Sequence, residues 1–480
     1  MPRPHRRRLP SLTLVGSLAA VPWLACSDPG AAPGFPAPGG SEPVLFRNVE
    51  VLSMAGEDES APGRSVLVRD GRIAAIGSAG AVTKPEGARV VDGSGGLLVP
   101  GLADLHVHLE RLPDPRLLAL FLAHGVTSVR NMDGRPFVLE WRRRIEAGEL
   151  LGPRIVTAGP ILEGPDPFWD DTRVVDGPEE ARRAVAEQVE AGYDFVKVYH
   201  TLQPDAYRAV LDASSEAGVP VAGHVPGGVP FDEVLTAGQR SIEHLDGYVD
   251  VIEAEGSPLR DRWSWLKLYL AVPVDTERIA AAARVTAAAG VWNVPTLTQK
   301  AKIDRPEVVT GWLEDPRLRY LPEELVERWE PDNFPQLQHL DEADLEALRR
   351  GEGVRRRLVA TLHEAGAPIV TGTDTPNPFV VPGSSLHEEI ERLAAAGLTP
   401  FEALAAATSE AGRFLAGGDE VSDRGRTGTV TEGAPADLVL LEVSPLDEIA
   451  NTRKVAGVMV RGRWLSTGHL QDLLDSLARE

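Results

Sequence analysis

Leu97-Leu98-Val99-Pro100-Gly101-Leu102-Ala103-Asp104-Leu105-His106-Val107-His108 is the stretch that decides the fold. An apolar run closes on two imidazoles at i and i+2, which a strand points to the same side. Two histidines so placed at a strand end can grip one metal ion together. Working outward, short apolar runs recur at 126–132, 154–162, 195–200, 219–225, 241–245, 291–297 and 368–375.

Amphipathic helical stretches fall between most of these runs. Ala181, Val185 and Val189 recur at helix spacing before Gly192. Thr399-Pro400-Phe401-Glu402 reads as a capping box with Pro in the first turn, followed by Leu404, Thr408, Ala411 and Leu415 on one face. Eight strands alternating with helices predict an α/β protein built on a (β/α)8 TIM-like barrel over residues 100–424. Two connections are long, about 246–290 and 299–367, and carry Trp263, Trp265, Trp312 and Trp329. In a barrel such loops overhang the catalytic face and shape a pocket; a peripheral insertion is the alternative.

Residues 43–99 hold short strand-like runs separated by Gly and Asp turns, and 425–480 read the same way. Two β segments at opposite ends of a chain can pair, which predicts a small composite β-sandwich from 43–99 plus 425–480. The first 25 residues differ: Arg3, Arg6, Arg7 and Arg8 precede a largely apolar stretch, the pattern of an export signal. Trp23-Leu24-Ala25-Cys26 resembles a bacterial lipoprotein processing site, implying membrane attachment through lipidated Cys26 and a Pro/Gly-rich tether over 26–42. Plain secretion is the alternative. A lone cysteine excludes an internal disulfide framework. The net charge of −22 argues against a nucleic-acid partner, because phosphates would be repelled.

The candidate chemistry follows from strand ends. A water-activating ion needs neutral imidazoles, a carboxylate and an open position. His106 and His108 supply two nitrogens from strand one, and Asp374 an oxygen from strand eight, adjacent once a barrel closes. His224 and His244 close strands five and six and would hold a second ion. Lys197 sits inside the apolar run Phe195-Val196-Lys197-Val198, where an ammonium is costly without a partner. Its neutral amine can capture carbon dioxide as a carbamate able to bridge two metals; snorkelling or pairing with an acid is the alternative. Zinc is the default for such a His-rich set, with manganese, cobalt and iron also permitted. His124, His200, His339, His363 and His387 show no comparable placement, although His200 lies at a strand end.

From about residue 43 to the end, the chain resembles the metal-dependent amidohydrolase superfamily, in its prolidase-like and imidazolonepropionase-like branch. The resemblance rests on 99–108, on His124-Gly125-Val126-Thr127-Ser128-Val129-Arg130 and on 194–199. It continues through Gly223-His224, Ile242-Glu243-His244, Gly372-Thr373-Asp374 and 433–438. Arg130-Asn131-Met132-Asp133 departs from the arginine-aspartate usual at that strand. The resemblance implies two divalent metal ions: His106, His108 and Asp374 on one, His224 and His244 on the other, carboxylated Lys197 between them. It also implies that a bridging hydroxide attacks a carbonyl and that Asp374 carries the proton to the leaving nitrogen.

The expected function is hydrolysis of an amide bond in a small molecule, with a dipeptide or N-acyl amino acid favoured. Tyr248 and Arg130 are candidate contacts to a substrate carboxylate or carbonyl, against ordinary packing at a strand end. A lactone, cyclic amide or phosphotriester would suit the same centre. A non-catalytic, ligand-binding envelope lipoprotein is the reading of another class; it predicts lost ligands, whereas all six are present. Oligomeric state is not legible.

Overall fold

The computed structural model describes residues 32, 34–37, 42–56, 60–260, 264–305, 309–330, 333, 340–417 and 427–479. The expected leader and Cys26 lie outside the described residues, as does Trp263. Within the expected tether, Phe35 packs against the main core and its carbonyl accepts from Leu151 N at 2.8 Å. Among the described residues, no helix is long and apolar enough to cross a membrane.

The strands in chain order begin with β1 (Val44–Leu52), β2 (Ser60–Arg69), β3 (Arg72–Ser78), β4 (Arg89–Asp92) and β5 (Leu97–Pro100). The central set is β6 (Leu102–Val107), β7 (Val126–Asn131), β8 (Arg154–Thr157), β9 (Leu162–Glu163), β10 (Arg173–Val174), β11 (Val196–Val198), β12 (Val221–Gly223), β13 (Gln239–Glu243) and β14 (Trp292–Val294). The chain closes with β15 (Leu438–Leu441), β16 (Val455–Val460) and β17 (Arg463–Ser466).

The two terminal segments do pair, but as one mixed eight-stranded sheet of order β17-β16-β15-β5-β1-β2-β3, with β4 also on β1. The join is β5 against β15, antiparallel from Leu97↔Leu441 to Pro100↔Leu438. One ladder results because β5 pairs with β1 along its other edge. Two tight hairpins shape its outer strands. Asp70-Gly71 between β2 and β3, and Arg461-Gly462 between β16 and β17, have positive φ at both positions, as a two-residue I′ turn requires. The sheet curls over itself: Phe46 of β1 meets Trp464 of β17 edge to face at 5.1 Å, although three strands separate them in the ladder. Residues 467–477 depart from the expected all-β tail, forming a helix that buries Leu470 and Leu473.

The central strands form two parallel sheets, β6-β7-β8 and β10-β9-β11-β12-β13-β14. Isolated parallel bridges continue the succession: Ala158↔Phe195 after β8, Asn293↔Ile369 beside β14, and Val107↔Thr375 back at β6. The eighth run, 368–375, therefore makes bridges and no regular strand. Its regularity fails at Asp374, whose φ is 64°, and the Asp104 carboxylate takes Thr373 N at 2.9 Å and Thr373 Oγ1 at 2.6 Å in place of a ladder bond.

The helices follow their sequence signals. Pro178–Ala191 buries Ala181 and Val185 and ends at Gly192 in the left-handed region, φ 86°. The Thr399–Glu402 capping box is formed, but the helix it starts stops at Ala406. A separate helix, Ser409–Ala416, follows, so the expected face from Leu404 to Leu415 is broken. The long connections also hold helices, including Thr276–Ala289 and Glu342–Glu364. Trp312 and Trp329 there pack edge to face on Phe379.

Candidate metal centre

The C-terminal ends of the central strands bring the expected residues together. His106 is fully buried and His108 and Asp374 nearly so. Asp374 Oδ1 lies 3.5 Å from His106 Nε2 and 3.2 Å from His108 Nε2, while Oδ2 lies 3.9 Å from His244 Nδ1. The His106 and His244 rings are 4.5 Å apart, and those of His244 and His224 4.9 Å. One donor atom each from His106, His244 and Asp374 falls within 4.8 Å of the others. Lys197 of β11 is buried beside them, its ammonium 5.9 Å from the Tyr199 ring.

Backbone conformation aims these groups. His244 and Asp374 have φ of 61° and 64°, a region costing non-glycine residues about 1–3 kcal/mol each. Each is pinned by a strand neighbour: His244 N donates to Val294 O at 2.8 Å, and Asp374 N to His106 O at 2.7 Å. Gly372 permits the close approach of 368–375 to β6, since a Cβ there would sit 2.7 Å from His106 Cβ and 2.4 Å from Val294 Cγ1.

A layer of oxygens, missed in the sequence, orients the imidazoles. His106 Nδ1 donates to Glu243 at 2.7 Å, and His108 Nδ1 to Glu110 at 2.7 Å. His244 Nδ1 engages Thr296 Oγ1 at 2.7 Å. For His106 and His108, engaging Nδ1 leaves Nε2 to face Asp374, the arrangement that fixes a metal-binding histidine. His224 differs: its Nδ1 faces Asp246 Oδ2 at 3.4 Å, and His200 Nδ1 faces the same oxygen at 3.6 Å. His200, His224 and Asp246 thus make a second converging donor group. The strand-end position of His200 was the available signal; Asp246 follows His244 by two residues.

Burial, first of all, pushes His106, His224 and His244 well below the usual histidine range, and the Lys197 charge adds to this. They are accordingly neutral near pH 7, the form that binds metal. For His108 burial also works downward, but the Glu110 carboxylate outweighs it and the net shift is upward. Asp374 is pulled down to about 2: burial opposes this, and His106 and His108 outweigh it. Burial lowers Lys197 to about 8, against the pull of Glu243 and Asp374.

The residues fit a divalent cation. His106 Nε2, Asp374 Oδ1 and both ring nitrogens of His224 are buried without a hydrogen-bond partner. Such orphaned atoms cost about 1–3 kcal/mol each, which a cation would offset. Nitrogen and carboxylate donors together suit zinc and its neighbours.

The two expected substrate contacts are both buried and hydrogen-bonded within the protein. Tyr248 is fully buried, its hydroxyl bonded to Asn293 Oδ1 at 2.8 Å and Thr286 Oγ1 at 3.0 Å, its ring against Phe231. Arg130 is also buried, donating to Leu105 O at 2.6 Å, Ser241 Oγ at 3.1 Å and Glu243 Oε1 at 2.7 Å. Its guanidinium lies between the Phe195 and Phe414 rings, at 5.4 and 4.8 Å. Each guanidinium nitrogen thus has a protein partner, among them Glu243, the carboxylate that takes His106 Nδ1.

Residues 97–465 match the model of the amidohydrolase family. The chain belongs to that family. Among solved structures, this amidohydrolase is similar to bottromycin amidohydrolase, at 27% identity and a TM-score of 0.70 over 90% of each chain. A Xaa-Pro dipeptidase with bound methionine shares the fold at 20% identity and a TM-score of 0.64, covering 88% of this chain and all of the other. Ochratoxinase of Aspergillus niger is 23% identical over 464 residues, 83% of this chain and 81% of that protein. Adenine deaminase of Chelativorans sp. (strain BNC1) is 31% identical over 40% of this chain, which spans only 33% of that relative.

Proposed function

We propose that this amidohydrolase uses a binuclear metal centre to hydrolyse an amide C–N bond in a small substrate, a dipeptide or N-acyl amino acid by preference. The observation that carries the reading is the pair of converging donor groups, His106, His244 and Asp374 in one and His200, His224 and Asp246 in the other, with buried partnerless atoms on His106, His224 and Asp374. The isolated bridges support reading the two parallel sheets as arcs of one (β/α)8 barrel, with the centre at its C-terminal rim. Bottromycin amidohydrolase, at 27% identity, supports the amide class.

His106, His108 and Asp374 would hold one ion, His224 and His244 the other, with zinc the default identity. Bound divalent metal would lower the pKa of water and polarise a carbonyl. The chain supplies the rest. The Asp374 carboxylate is ionised at neutral pH and so can accept the proton of the attacking water, then hand it to the departing nitrogen. Glu243 and Glu110 keep their imidazoles in the binding tautomer, and Thr296 orients the His244 ring. Burial brings Lys197 down to about 8, so a neutral fraction of its amine is available near neutral pH; that amine would add to carbon dioxide with loss of one proton, giving an anionic carbamate between the two ligand groups. Export by the arginine-rich leader and anchoring through Cys26 complete the proposal, on the sequence alone.

The test is a library of dipeptides and N-acyl amino acids incubated with protein loaded with zinc and bicarbonate. Release of free amino acid is expected. No release across the library would overturn the amide reading and favour lactones, cyclic amides or phosphotriesters.

A further inference from the structure

Lys300 belongs to none of the proposed ligand or proton-transfer groups, yet it is a buried cation beside them. It lies on the helix Leu297–Ile303, which leaves β14 after Thr296. Thr296 Oγ1 bonds His244, and Lys300 N donates to Thr296 O at 3.3 Å, so the lysine stands one turn above a residue that touches the centre. Lys300 is 8% exposed, and its ammonium lies 4.5 Å from the Tyr269 ring centroid. Among the described residues the ammonium has no hydrogen bond and no carboxylate within ion-pair reach. The fields of Asp374 and Asp246 reach it, and its own charge acts on His200 and His244, which places it at the rim of the same site.

The neighbouring cation is already committed: Arg355 pairs with Asp304 and donates to Tyr269 O. A buried ammonium that packs on an aromatic face and lacks an anion is costly, and a ligand that brings the anion removes the cost. We infer that Lys300 is the specificity residue of the centre and receives the free carboxylate of the leaving amino acid. The inference rests on the amide-hydrolase reading and narrows it to substrates that carry an anion next to the scissile bond. Neutral lactones and carboxamides would leave the ammonium unpaired.

The experiment compares a panel of N-acetyl amino acids with the matching N-acetyl amino-acid carboxamides, on the metal-loaded full chain. The readout is the ratio of kcat/KM for acid over carboxamide, in wild type, Lys300→Met and Lys300→Arg. Methionine keeps the apolar stem on Tyr269 while removing the charge. The wild-type ratio should favour the acid, Lys300→Met should lower it by roughly 10- to 100-fold, the value of one charge-assisted contact, and Lys300→Arg should keep most of it. Should Lys300→Met fail to fold, Lys300→Gln carries the same comparison. An unchanged ratio in the neutral variants, or no wild-type preference while both panels are hydrolysed, overturns the role of Lys300 and leaves amide hydrolysis standing. Failure of wild type on both panels overturns the amide reading, and this inference with it.

Discussion

Glu243 links His106 to Arg130: its Oε2 takes His106 Nδ1 at 2.7 Å, and its Oε1 takes Arg130 at 2.7 Å. Ser241 Oγ donates to that Oε1 at 2.6 Å as well. The carboxylate therefore has its charge balanced from below and its other oxygen committed to a metal-facing histidine. Glu243→Gln should weaken metal binding by roughly 10- to 100-fold. Chelator competition measures this; unchanged affinity would mean His106 is not held through Glu243. Arg130→Met leaves the buried Glu243 charge without its ion-pair partner, and urea unfolding should register a loss of about 3–5 kcal/mol.

Asp374 is assigned the proton transfer. Asp374→Asn should lower kcat by roughly 10²- to 10⁴-fold, the range for a lost general acid–base group. Circular dichroism should remain that of wild type. Retained turnover would remove Asp374 from the mechanism.

Lys197→Ala tests the carbamate. Metal analysis should find the wild type holding two ions per chain in bicarbonate and the variant holding fewer. Unchanged two-metal binding would sink the bridge.

Much of this centre was legible because covalent spacing fixes it. His106 and His108 share a face through strand geometry alone, and Asp374 stands out at the end of an apolar run. The orienting oxygens were not legible. Thr296 lies 52 residues from His244, and only the tertiary fold brings them together. The surroundings of Tyr248 were not legible for a local reason: His244, Leu245 and Gly247 all have positive φ, so the chain turns and a four-residue spacing no longer defines a face. The pairing of Arg130 was not legible because its partner, Glu243, is 113 residues away. In the fold, hydrophobic alternation located the strands, while pairing of β5 with both β1 and β15 made one sheet where two faces were expected.

Gly372 is a packing requirement. Gly372→Ala forces a methyl group into His106 Cβ and Val294 Cγ1, and should cost about 1–3 kcal/mol. Thermal unfolding should show a lower Tm; an unchanged Tm would contradict the close approach of the two segments.

Glu389 predicts a pH dependence of stability. Its buried carboxyl accepts from Leu297 N at 2.9 Å and Thr298 N at 2.7 Å, and burial raises it from 4.5 to about 7 against those bonds. Between those values the folded chain keeps a proton that the unfolded chain has released, so this group's contribution falls as pH rises. The slope is at most about 1.4 kcal/mol per pH unit. Urea unfolding from pH 4.5 to 7 should show a shallower decline in Glu389→Gln than in wild type. Identical slopes would contradict the assignment.

The most direct test of the centre is an anomalous difference map at the zinc edge, from crystals of the full chain grown with zinc and bicarbonate. The account predicts two strong peaks, one among His106, His108 and Asp374 and one beside His224 and His244. An absence of density among His106, His108 and Asp374 would contradict it.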